Sequence, residues 1–499
     1  MKRVVIIGSG IGGLSCGCIL AQNGFEVTVL EQGVQIGGCL QCFKRGNAVF
    51  DTGMHYIGDA AEGQTLNTIL KYIGIDDAVE MERLDTAGYD VIVLHGKQYK
   101  IANGRKAFVN TLAEEFPESR EELARYYDLV KSVAQSAVIH SLNRNVDVSV
   151  NTEFQTRSVD DVIDSTVSNP LLRDVLTGIL PLYAGKRQRT PFYTHALIAD
   201  SYDNSAMRIV GGSNRMAEAM ANKIADNGGR VIARQKAVEI VCDEKHAVGV
   251  RTDDGNYYLA DIVISAIHPA STIQLVKSNL LRTAYRQRIE GLKNTTSAFT
   301  VYLKFKKDAV PYMNHNLYYY RGESTWNCEE YDSKSWPKYL LYMHFCHERN
   351  PKFAQSGEIM TYMNYDELSQ WHDTTVGHRG SEYEEWKRRK AQQLIAALEE
   401  QVPGISNDID GYYASTPLTL RDYTGVPEGA MYGVARDKNE IGIGSVSTRT
   451  RVPNLYITGQ SIILHGMLGT LAGSLLTCSE ILSLDEIFAQ LTNAQETKK

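Results

Sequence analysis

The chain has 499 residues, 43% hydrophobic and 22% charged, with a formal net charge of −7. That is the make-up of an ordinary globular protein of about two to four domains. It carries no basic cluster to follow a nucleic-acid backbone, and no apolar run reaches the roughly 18 residues needed to span a bilayer.

The start, MKRVVIIGSG, places charge before an apolar run of only about five residues, which enters a glycine motif rather than a cleavage site. It predicts a strand in a cytoplasmic protein. Strand Val4 to Ile7 is followed by Gly8-x-Gly10-x-x-Gly13, with Gly12 inside the motif. A helix then runs to Asn23-Gly24, and a second strand, Glu26 to Leu30, ends in Glu31-Gln32. This is a βαβ dinucleotide-binding unit. Gly8 makes the tight turn, Gly10 admits the pyrophosphate, and Gly13 lets helix pack on strand. The helix N-terminus offers free N–H groups to phosphate. Glu31 can accept both ribose hydroxyls. Cys16 and Cys18 read as small packing residues on that helix.

IGGCLQCFKRG follows, with Gly37-Gly38 and a Cys39-x-x-Cys42 pair. The segment continues to Phe50-Asp51-Thr52-Gly53. A second glycine pair here, Thr52-Gly53 included, resembles the two-dinucleotide-binding-motif flavoproteins, whose cofactor is non-covalent FAD. Farther on come a glycine turn at Gly211-Gly212, an amphipathic helix, a Gly-Gly turn and paired short strands through Val238. A buried strand ends at Ser265-Ala266. Near the end, a strand from Leu455 to Thr458 leads through Gly459-Gln460-Ser461 to a small-residue helix beginning near Met467-Leu468. By the same resemblance, Val238 passes the adenine and the last helix aims its N-terminus at the flavin.

FDTGMHYIG, YTHALIADSY, VGGSNRMAEAMA, TPLTLRDYTGVPEGAMYG and NLYITGQSIILHGMLGTLAGSLLTCSEIL resemble the phytoene desaturase and carotenoid isomerase superfamily. Within it they are most similar to the retinol saturase branch, over nearly the whole chain. The resemblance implies an α/β fold: a Rossmann-like FAD domain with an inserted α+β substrate domain, similar to amine oxidases. The FAD domain is expected at 1–75, 205–275 and 445–490, the substrate domain at 76–204 and 276–444, and a flexible tail at 491–499. It implies hydrogen addition, removal or isomerisation at polyene double bonds, with saturation preferred over the other two. Ser461 stands where the superfamily often has Asp, and Cys39 where many members have Arg.

FTVYLKFK and KYLLYMHFCH read as strands of the substrate sheet, and the run from Ser381 as an amphipathic helix. EIGIGSVS, at 440–447, lacks a third glycine and opens no helix, so no second Rossmann unit for NAD(P)H is expected. Electrons would come from NAD(P)H bound transiently or from a redox partner. Candidate proton donors are His55, Tyr56 and His465. His195 reads as structural, and Asp422 and Tyr423 as structural with a place on the substrate route as the alternative. A disulfide reductase would have four residues between its two cysteines and carry a second fingerprint. One Cys-x-x-Cys without further ligands does not make a zinc site, and no metal is expected. A flavin-binding carrier without catalysis is the remaining rival. An apolar polyene or lipid substrate implies peripheral membrane contact.

Overall fold

The computed structural model describes residues 1–442 and 444–496. Residue 443, within EIGIGSVS, and residues 497–499 of the expected tail lie outside it.

Four consecutive β-branched residues, Val4 to Ile7, form strand Arg3–Ile7, nearly all of it buried. It is central in a five-stranded parallel sheet. The order is Arg230–Ile232, Glu26–Leu30, Arg3–Ile7, Ile262–Ser265, Leu455–Ile457. Helix Ile11–Gln22 packs on one face, against helices Asn214–Asp226 and Gly466–Ser479. Its apolar character all round fits a helix buried on every side. Cys16 and Cys18 are fully buried there, as packing residues. The strand ends are stapled at the point where the chain turns toward the site. Gly8 N donates to Leu30 O at 2.8 Å, Ala266 N to Ile7 O at 2.8 Å, and Thr458 N to Ser265 O at 2.9 Å.

A seven-stranded sheet forms the second layer, in the order Ile409–Ser415, Ser297–Phe305, Ser356–Met363, Tyr339–His344, Asn316–Tyr320, Asp90–Leu94, Lys97–Ile101. Its pairs are antiparallel except for Asn316–Tyr320 beside Asp90–Leu94. Helix Ser381–Glu399 covers one face with Leu394 and Leu398. The other face meets helices Arg120–Gln135 and Phe192–Asn204 in a core rich in tyrosine.

Two expectations need correction. The short strands after Gly228-Gly229 do not pair with each other: Arg230–Ile232 extends the parallel sheet, whereas Ala237–Cys242 pairs with Ala247–Thr252. The tail from 491 is helical through Glu496, the end of helix Leu484–Glu496. Ile487 and Leu491 are buried against the flavin-side core, each such burial contributing about 1.5–3 kcal/mol. Gln495 also donates to Thr68 Oγ1 at 3.3 Å.

Candidate active site

Helix Ile11–Gln22 starts at Gly10 without any side-chain cap, so its first-turn N–H groups are unspent. A methyl on Gly10 would meet nothing within 4 Å, while one on Gly13 would lie 2.0 Å from the Gly8 carbonyl oxygen. One on Gly12 would lie 2.9 Å from Gly459 Cα. The loop is thus closed where helix meets sheet and open where a pyrophosphate would approach. Gly37 and Gly38 both have positive φ, +113° and +56°. They run beside Gly10, and a Cβ on Gly38 would lie 3.1 Å from Gly10 Cα. Glu31 is buried. Its Oε2 accepts from Ser9 N at 3.1 Å and Ser9 Oγ at 2.5 Å, and its Oε1 from Gly33 N at 2.7 Å. Those bonds aim the carboxylate along the glycine loop, and lone pairs remain for ribose hydroxyls. These residues fit an FAD. Gln32 is exposed and Val238 half-buried. Ser265 is spent on Thr272, Oγ to Oγ1 2.7 Å, leaving Ala266 as backbone at the strand end.

The other wall comes from the C-terminal loop. Gly459 has φ +105°, and Gln460 and Ser461 follow it. Ser461 Oγ lies 3.4 Å from Val434 N, and its carbonyl accepts from Arg436 at 2.9 Å. Helix Gly466–Ser479 has no side-chain cap either, leaving N–H groups at its Met467-Leu468 start.

Between the two walls lies the Cys-x-x-Cys turn. Cys39 keeps exposed area, yet protein surrounds it closely enough for desolvation to push its thiol pKa up. A Cβ on Gly53 would lie 3.1 Å from Cys39 Cβ, and Thr52 holds that turn by donating Oγ1 to Gln41 O at 2.8 Å. Cys42 faces elsewhere. Its Sγ donates to Asp51 Oδ1 at 3.1 Å, and burial with that carboxylate drives the thiol pKa far up. A thiol this hard to ionise is a poor redox nucleophile. Cys42→Ser should keep the Asp51 bond and leave turnover within about twofold of the parent, since hydroxyl and thiol are both donors. A tenfold loss with flavin still bound would restore the dithiol.

Two histidines lie in this region. On one side Glu358 reaches His55, whose Nδ1 lies 2.6 Å from Glu358 Oε1 but off the hydrogen-bond line. Glu358 Oε2 is buried without a partner. Burial works against an imidazolium here, but Glu358 overrides it and the His55 pKa is raised. Burial likewise raises Glu358, only partly offset by His55. On the other side, Tyr432 stacks on His465, ring centres 4.2 Å apart. His465 Nε2 bonds Leu182 O at 2.8 Å, and burial lowers its pKa to about 4, so the ring is neutral.

Tyr56 lies deeper. Its hydroxyl meets Tyr318 OH at 2.6 Å and donates to Asp90 Oδ2 at 3.2 Å, and burial raises the Asp90 pKa to about 7. His195 is clamped between Tyr126 and Tyr183 hydroxyls at 2.6 and 2.7 Å. Asp422 is held between Arg379 and Arg421, and Tyr423 is 60% exposed. An apolar cavity of about 320 Å³ opens against the start of helix Gly466–Ser479, lined by Leu182, Leu197, Ile198, Tyr202, His465 and Leu468.

Glu358, Asp90 and Arg208 were missed from sequence. Each does carry a signal: a charge inside an otherwise apolar strand run, GEIMTYM, YDVIVL and AMRIVG. Arg208 is almost completely buried and donates to Tyr312 OH, two backbone carbonyls and Asn316 Oδ1. Buried charges persist only when paired or bonded in this way.

A βαβ glycine loop, a second glycine pair against it and a returning strand-and-helix define a flavin-dependent oxidoreductase. The chain belongs to the flavin containing amine oxidoreductase family, whose model matches residues 11–481. It is 28% identical to an all-trans-retinol 13,14-reductase of Rattus norvegicus, covering 99% of this chain and 89% of that protein. It is 29% identical to one of Homo sapiens, covering 98% and 87%. A prolycopene isomerase of an Oncidium hybrid cultivar is 22% identical, covering 92% and 79%. Among solved structures, an oxidoreductase from Methanosarcina mazei superposes with TM-score 0.65 at 17% identity, covering 95% and 98%. A putrescine oxidase variant gives 0.64 at 16%, covering 97% and 98%. Among the described residues no helix is long and apolar enough to cross a membrane.

Proposed function

We propose that this chain is an FAD-dependent reductase of a carbon–carbon double bond in a conjugated isoprenoid, of the retinol saturase kind. The observation that carries this reading is the likeness to all-trans-retinol 13,14-reductases over 98–99% of the chain. The apolar cavity beside the closing helix supports it, since a polyene offers nothing to hydrogen-bond along its length.

FAD, when bound, supplies hydride chemistry at its N5. Gly10, Gly12, Gly13, Glu31, Gly37, Gly38 and the Gly459–Ser461 loop would hold it. The residues' own task is the accompanying proton. His55, its pKa raised by Glu358 against the effect of burial, would donate it. Neutral His465, with Tyr432 stacked on it, would shape the cavity wall and orient the substrate. Tyr56 would hold the His55 loop through its bonds to Tyr318 and Asp90. The unspent N–H groups at Met467 and Leu468 favour negative charge nearby. NAD(P)H bound transiently, or a redox partner, would supply electrons, and peripheral contact with a membrane would supply an apolar substrate to a cytoplasmic enzyme.

The test is anaerobic. The flavin of the purified protein is reduced, then all-trans-retinol, a carotene and an unsaturated lipid are added separately. Retinol should reoxidise the flavin and gain two hydrogens by mass. Reduction of the oxidised protein by a hydrogen-rich polyene would make it a desaturase instead. Isomer change without mass change would make it an isomerase. No reaction in either direction would leave a flavin-binding carrier.

A further inference from the structure

Outside the flavin region, three segments distant in sequence bring ligand-type atoms together. Asp59 follows strand Ile57–Gly58, His140 lies just past helix Arg120–Gln135, and Asp200 sits within helix Phe192–Asn204. One side-chain ligand atom from each lies within 4.8 Å of the others. We infer that Asp59, His140 and Asp200 form a binding site for one divalent transition-metal ion, beside the apolar cavity.

The free end of Asp59 points to a ligand. Asp59 is 2% exposed, its Oδ1 accepts from Asn204 at 2.9 Å, and its Oδ2 has no hydrogen bond. That oxygen faces His140 Nε2 at 3.8 Å, and the same nitrogen lies 2.9 Å from Asp200 Oδ2. Ligands held about 2.0 Å from a tetrahedral ion sit about 3.3 Å from one another. The two His140 separations straddle that spacing, and all three atoms lie within 4.8 Å of one another, so a small inward movement of the side chains would close the shell. The remaining position faces a polar cavity of about 570 Å³ with room for water.

Charge points the same way. Lys131 Nζ lies 2.8 Å from Asp200 Oδ1 and 2.8 Å from Asp203 Oδ2, while Asp200 Oδ2, turned toward the site, is hydrogen-bonded by Asn204 Nδ2 at 3.1 Å and His140 Nε2 at 2.9 Å, the contact an ion would replace. Three buried carboxylates, Asp59, Asp200 and Asp203, face one ammonium, and a divalent ion taking the place of the His140 proton would balance the acidic excess. One imidazole with carboxylates suits zinc, manganese or iron(II) better than calcium or magnesium. His140 also lines the apolar cavity, so the ion would fix part of that cavity's wall and tie three segments around it. Its role is structural. The scattered positions 59, 140 and 200 explain why no ligand spacing is visible in the sequence.

The flavin-loaded full-length protein is stripped with a chelator, then titrated with Zn²⁺ against a chromophoric competitor and, separately, with Co²⁺. One Zn²⁺ per chain should bind, and Co²⁺ should give visible bands of four- or five-coordinate geometry. Asp59→Asn and His140→Gln should each weaken Zn²⁺ at least about tenfold, with flavin content confirming that each variant folds. If one variant fails to fold, the other decides. Absence of binding by the parent protein, or equal binding by parent and folded variants, overturns the site. Neither readout requires turnover, so the outcome is independent of the substrate.

Discussion

Gly38→Leu yields a folded chain that carries no flavin. Gly38 sits at φ +56°, where a side chain costs about 1–2 kcal/mol. Its Cβ would lie 3.1 Å from Gly10 Cα, tighter than ordinary contact. Neither effect approaches the 5–15 kcal/mol that typically holds a domain together. The leucine side chain, however, would stand over the uncapped start of helix Ile11–Gln22, where a pyrophosphate must meet N–H groups. Flavin affinity should fall more than about a hundredfold, as expected when the backbone can no longer approach the phosphates. Flavin absorbance per chain gives the loss, and circular dichroism the retained fold. Binding within tenfold of the parent would show that the glycine pair does not face the cofactor.

His55→Phe lowers turnover about 10²- to 10⁴-fold, the usual range for removing a positioned proton donor, with flavin content unchanged. The pH profile separates donation from mere support. Glu358 raises the His55 pKa above its ordinary 6.5, so the protonated ring is present below that value and lost as pH rises through the folded-state pKa. Turnover should fall along that upper limb. The stability contributed by the pair follows the same sign: fully present below about 6.5, lost above the raised pKa. In Glu358→Gln the limb should move to lower pH, because the group that lifts the imidazole is gone. Breaking a buried pair in this way costs about 3–5 kcal/mol, which a melting curve registers. A limb that stays in place would remove His55 as the titrating group.

The flavin half of the molecule is legible in sequence because a parallel sheet buried on both faces writes itself as short apolar runs, and a phosphate loop as glycines at set distances. Gly8, Gly10, Gly13 and Glu31 occupy the loop and strand end that this pattern predicts. The substrate half is not legible in the same way. Its polar residues work across an antiparallel sheet, so Glu358 meets His55 over some three hundred residues of chain, and neither neighbourhood hints at the other. Tyr56, Asp90 and Tyr318 are brought together by the one parallel pair in that sheet, a pairing set by topology. The end of the last helix is not legible because the apolar pattern Leu484, Ile487, Phe488, Leu491 stops at the point where the polar run from Thr492 begins, although the helix continues to Glu496.

The methyl-tight contact between Gly12 and Gly459 bears on how the protein is made. The sheet gains its last strand, Leu455–Ile457, and helix Ile11–Gln22 its Ser15–Ser474 bond of 2.7 Å, only after most of the chain has left the ribosome. At about 5–20 residues per second, the roughly 425 residues separating that strand from the second one take about 20–90 s to synthesise. Through that interval the glycine loop lacks its opposing wall, and the nascent apolar strands stay open to chaperones. Flavin loading is therefore expected to wait for strand Leu455–Ile457 and the helix after it: ribosome-bound chains stalled before residue 455 should hold none.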